Sequence, residues 1–99
     1  DAINRIPLDG RALEATYSVT ITAPAAQAGP LGDLLVEHLE DRALPVAELD
    51  VVERGEDRVE IVATLVSTNV PGDELDAIVD HLARVHDIAH ATWQARTHD

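Results

Sequence analysis

The chain has 99 residues, a formal charge of −12, no cysteine, and only Tyr17 and Trp93 as large aromatics. The length suits one domain. Lack of thiols excludes thiolate metal sites, disulfides and cysteine nucleophiles, and an acidic surface without a stacking platform argues against nucleic acid as a partner.

Residues 1–13 (DAINRIPLDGRAL) hold no sustained period and are interrupted by Pro7 and Gly10, so an irregular lead-in is expected. Its charges cancel, which suits a segment close to a membrane better than the acidic body that follows. From Glu14 to Ala23 the pattern alternates strictly, with Ala15, Tyr17, Val19 and Ile21 on one face and Thr16, Ser18, Thr20 and Thr22 on the other. That is a half-buried strand. The loop APAAQAGP then places Pro30 at the first position of a helix, where its missing N–H does no harm. Leu31, Leu34, Leu35 and Leu39 follow the spacing of one buried helical face, and Pro45 marks the limit of this element.

Val46 to Glu53 reads as a second strand, and the Arg54-Gly55-Glu56-Asp57 turn joins it to a third over Arg58–Ser67. Pro71-Gly72 opens a second helix through about Val85, striped by Leu75, Ile78, Val79 and Leu82, with acids in its first turn to complement the macrodipole. Ile88 to Arg96 gives the last strand, with Ala89, Ala91 and Trp93 on one face, and residues 97–99 form a fraying tail. The domain is therefore expected over 14–96. Its order, β-α-β-β-α-β, predicts an α+β ferredoxin-like sandwich: a four-stranded antiparallel sheet with both helices on one face and the other face open.

Candidate chemistry is sparse. His86 and His90 are four apart, but on a strand that spacing separates them by roughly 13 Å, too far for one ion. Asp73, Glu74, Asp76 and Asp80 form the densest acidic cluster and are the weak candidates for magnesium; a solvated helix face with an Asp80–Arg84 ion pair explains them as well. His38 and His81 flank the two helical stripes as boundary residues. Ser18 and Ser67 are expected in strands, without a nucleophile elbow or an adjacent histidine, so no catalytic site is expected. No phosphate-binding glycine loop and no cofactor motif occurs. Gly29, Leu31, Gly32 and Asp33 mark the junction where small residues let a ligand or partner backbone approach the helix N-terminus.

The element order resembles the ACT domain, a regulatory module that commonly pairs and often binds amino acids. More specific are Ile3-Asn4-Arg5-Ile6-Pro7-Leu8, the Ala15-x-Tyr17-x-Val19-x-Ile21 strand and Trp93 in the last strand. Together they resemble the C-terminal cytosolic ACT-like domain of the MgtC/SapB membrane protein family. That resemblance implies a bacterial inner-membrane protein linked to growth at low magnesium and to virulence through survival in macrophages. Partners would be other membrane proteins or its own transmembrane domain, with self-association through the open sheet face as a further option.

The same resemblance makes residues 1–13 a lead from a preceding membrane span, and the start at Asp1 without Met suggests a piece of something longer. Several apolar spans of about 20 residues are then expected upstream. The stretch APAAQAGPLG departs from amino-acid-binding ACT domains, which present Asp or Asn with Pro-Gly at this turn; here the first such residue is Asp33. The alternative expectation is a small-molecule or Mg²⁺ sensor of ACT type, dimeric in some forms, binding at Gly29–Asp33 or at the Asp73–Asp80 carboxylates.

Overall fold

The computed structural model of the chain describes residues 15–97. The lead-in, Glu14 and the last two residues lie outside the described residues. Four strands and two helices follow the expected order: β1 (Ala15–Pro24), a 3₁₀ turn (Ala25–Gln27), α1 (Ala28–Asp41), β2 (Val46–Glu53), β3 (Arg58–Leu65), α2 (Gly72–Ala83) and β4 (His90–Thr97). The sheet order is β2-β3-β1-β4, and every neighbouring pair is antiparallel. This is the ferredoxin-like arrangement.

Period-two alternation decides which side of the sheet is buried. On β1, Ala15, Val19, Ile21 and Ala23 enter the core, and on β3, Val59, Ile61, Ala63 and Leu65 do so. Against them pack Leu31, Leu35 and Leu39 of α1 and Leu75, Ile78 and Leu82 of α2. The opposite side, with Thr16, Ser18, Thr20 and Thr22 on β1, has no helix over it among the described residues. Its middle is still well packed, since Thr20, flanked by Val62 and Thr92, is buried by its own strand neighbours.

Several boundaries differ from expectation, each for a local reason. The loop before α1 tightens into a 3₁₀ turn, and the helix begins at Ala28, two residues before Pro30. Pro30 remains in the first turn, where N–H groups have no intrahelical acceptor, so it is tolerated there as well. β3 stops at Leu65 because the Val66 N–H donates instead to the Pro45 carbonyl at 3.0 Å, which leaves Ser67 outside any strand. β4 starts at His90 rather than Ile88: the Ile88 N–H donates to the Val85 carbonyl at 3.0 Å, closing a turn after α2. At its other end β4 continues through Thr97.

The end of α1 is closed by two backbone bonds. The Leu44 N–H donates to the Leu39 carbonyl at 2.9 Å and the Ala43 N–H to the Glu40 carbonyl at 3.0 Å. That is the Schellman pattern, and it requires a left-handed residue at Ala43, whose φ is 62°. Alanine meets its own Cβ there, whereas glycine does not. Ala43→Gly is therefore expected to raise stability by about 0.5–1 kcal/mol, read as a higher thermal unfolding midpoint.

Candidate functional site

The sheet side without helices carries a shallow groove of about 280 Å³ lined by Thr16, Ser18, Val62, Thr64, Gln94 and Arg96. Three strands build it, because Ser18 is opposite Thr64 on β3 and opposite Gln94 on β4. Hydroxyl and amide groups there can donate and accept, Arg96 adds a cation, and Val62 gives an apolar floor. Ser18 has no histidine or carboxylate at the directly opposed positions, so the register provides no base to activate it. The groove is chemically a recognition surface.

Among the four acids of α2, three are engaged with the fold. Asp76 Oδ1 accepts a 2.8 Å hydrogen bond from the Trp93 indole N–H. Glu74 lies 3.4 Å from Arg42 across the two helices, and Asp80 lies 3.0 Å from Arg84 one turn on. Asp73 sits in the first turn of α2. No group of three or more His, Cys, Asp or Glu residues that could hold a metal ion occurs among the described residues.

The Trp93 bond ties β4 to α2. Its ring also lies over Gly72, where an added Cβ would meet Cζ2 at 3.8 Å, and tilts toward Tyr17 with centroids 6.4 Å apart. Asp76→Ala is expected to cost about 1 kcal/mol, since a charge-assisted but exposed bond is lost. Trp93 is the single tryptophan, so a red-shifted emission in the variant would report the freed indole directly.

The residues of the first junction do not share one surface. Leu31 and Gly32 are buried, Gly32 facing Leu49 of β2, while Gly29 and Asp33 point outward. The histidines are placed differently from the strand-based expectation. His86 lies in the turn between α2 and β4, so strand geometry does not set its distance from His90. It lines a recess at one end of the sheet with Asp57, Arg58 and Asp87.

His38 and His81, read separately as boundary residues, come together where α1 meets α2. Their rings stack with centroids 4.5 Å apart and planes 8° from parallel. His38 Nε2 is buried without a hydrogen-bond partner. Burial first, then the neighbouring His81 and Arg42, hold His38 below the ordinary histidine value, with Asp41 acting weakly the other way. Ring-nitrogen lone pairs lie in the ring planes, so two nearly parallel rings do not converge on one ion. Sequence spacing within either helix could not reveal this pair, because only the packing of one helix on the other creates it.

No described helix is long and apolar enough to cross a membrane. Among curated proteins, none matches the chain in sequence. The chain is similar in structure to the C-terminal domain of the MgtC protein from Mycobacterium tuberculosis, solved in solution, with a TM-score of 0.72 and 15% identity, covering 87% of this chain and 92% of that one. At that identity the likeness concerns the fold. The sequence model of the MGTC/SapB C-terminal domain matches residues 17–93, from the Tyr17 strand position to Trp93, and the chain belongs to that family.

Proposed function

We propose that the chain is a non-catalytic regulatory and interaction domain of an MgtC-like bacterial inner-membrane protein, held at the cytosolic face. It engages other membrane proteins, or the transmembrane part of its own protein, and through them supports growth at low magnesium and survival in macrophages. The observation that carries this reading is the uncovered sheet side: its groove has binding groups but no opposed nucleophile and base. Family membership supplies the membrane context.

The experiment is a growth assay at limiting magnesium. The full-length protein carries Ser18→Arg with Thr64→Arg, which crowds the groove from two opposed strands without touching the core. Loss of growth with an unchanged unfolding midpoint for the domain supports docking through this face. Full growth from a groove blocked in this way would refute it.

The groove also favours a second reading, a small-molecule sensor, since its volume is close to the lower end of ligand sites. Amide-shift titration separates the two. Saturable shifts at Ser18, Thr64 and Gln94 with an amino acid would favour the sensor, whereas diffuse shifts would report charge screening alone.

A further inference from the structure

The exposed large hydrophobic side chains of the described residues lie on or beside β2, on both sides of the sheet. Leu49 is 40% exposed, Val51 53% and Val52 39%, all on β2, and Val66 is 56% exposed just beyond the strand paired with it. β2 is an outer strand that pairs only with β3, and Ala47 through Glu53 are all exposed. Its outer edge therefore presents backbone N–H and C=O groups with no strand beside them among the described residues. β4, the other outer strand, carries no exposed large hydrophobic residue.

Edges of this kind are usually shortened, broken by proline or guarded by lysine. β2 is eight residues long with neither proline nor lysine, and its one irregularity, a register shift between Val46 and Glu48, lies at its start and leaves Glu48–Glu53 in regular pairing. Its charges are all negative: Glu48 and Asp50 project on the groove side, and Glu53 shares the helix side with Leu49 and Val51. Leu49 and Val51 thus form an exposed apolar pair on the helix side, and Glu48 and Asp50 an acidic pair on the groove side beside Val52, along one open edge.

A second copy of the chain fits this edge poorly. Antiparallel self-pairing centred on Leu49 would set Glu48 opposite Asp50 twice, centring on Asp50 would set that residue opposite itself, and centring on Val51 would set Leu49 opposite Glu53 twice, an apolar side chain against a charge. Like charges directly opposed across strands are destabilising, and each chain already carries a formal charge of −12. A strand with the opposite charge meets neither penalty.

We propose that the outer edge of β2 accepts an extended basic segment of a partner protein, which adds to the sheet as a fifth strand. Its apolar side chains lie against Leu49 and Val51, and its Lys or Arg side chains lie beside Glu48 and Asp50. Main-chain hydrogen bonds supply the attachment, and the alternating side chains supply selectivity. This inference rests on the reading of the domain as a docking module and names where, and to what chemistry, it docks.

The test uses two capped peptides of about nine residues, long enough to span β2, one alternating valine with lysine and the other valine with glutamate. The isotope-labelled chain is titrated with each, and amide shifts and exchange rates are read for every strand. The expected result is a saturable response to the lysine peptide confined to β2, with slowed exchange of its outward amides and no response to the glutamate peptide. In the Glu48→Lys/Asp50→Lys variant, affinity for the lysine peptide should fall by at least about fivefold and the glutamate peptide should begin to bind. Both positions are exposed, so the fold is retained, and unchanged amide shifts in β1 verify that. Equal, non-saturating shifts with both peptides, or no shifts at all, would overturn the proposal. Saturable shifts centred on Ser18 and Gln94 would overturn it too, while leaving docking through the groove intact. Conversely, β2 binding together with full growth of the groove variant would sustain the edge and refute the groove.

Discussion

Ile61→Ala is expected to lower stability by about 2–5 kcal/mol, while Val62→Ala, one residue along the same strand, is expected to lose less than about 1.5 kcal/mol. The contrast follows from the pleat. Ile61 is fully buried between the sheet and the helices, so truncation removes apolar burial and leaves a cavity that packed neighbours close only in part. Val62 faces the groove and is only half-buried, so its side chain is already in contact with solvent. Urea unfolding at fixed pH would read both as changes in midpoint at constant slope. Equal losses would mean that the chain covers both sides of its sheet, contrary to the layer arrangement on which the docking surface depends.

A second effect is expected from pH. His38 sits below the ordinary 6.5 in the folded chain, so between the folded and unfolded values the unfolded chain binds more protons. Stability is therefore complete above about 6.5 and declines as pH falls toward the folded value, then levels off below it. The structural cause is legible in the seam between the helices. A proton added at Nε2 finds no acceptor, and the new charge faces the His81 ring and Arg42.

The charged groups around it are Asp41 at the end of α1, Arg42 just beyond it, His81 from α2, and Glu74, which holds Arg42 from α2 at 3.4 Å. His38→Leu removes the orphaned nitrogen and keeps an apolar contact. It is expected to raise stability by about 1 kcal/mol at neutral pH and to flatten the decline that begins as pH falls below 6.5. The same decline retained in the variant would place the proton uptake elsewhere.

The fold was written in the chain wherever one periodicity ran undisturbed. Alternation from Ala15 to Ala23 and from Arg58 to Leu65 marks the two central strands, and the leucine and isoleucine stripes mark both helices. Such positions are set by which side must be dry, a local property that spacing records. Where hydrogen bonds between distant backbone groups decide, sequence gave no guide: Val66 leaves β3 for Pro45, and Ile88 turns back to Val85.

The exposure of β2 was not legible either. Leu49, Val51 and Val52 mark a strand, but only the strand order places them at the rim of the sheet, where Gly32 of α1 lies beside Leu49. Of the candidate site, the open sheet face was foreseeable from the threonine row of β1. The His38–His81 stack and the Trp93–Asp76 bond were not, since both join residues that only helix packing brings together.

That this domain works by being covered is testable with thiol chemistry, because the chain contains no cysteine and each introduced one is unique within it. Single substitutions Val51→Cys, Val62→Cys, Glu37→Cys and Asp80→Cys would be alkylated both in the isolated chain and in the full-length protein in cells. Slower alkylation in cells at positions 51 and 62, with unchanged rates at the acidic outer helix faces marked by 37 and 80, is the predicted result. The same rate in both settings at all four positions would show a sheet that nothing docks upon, and would contradict the account.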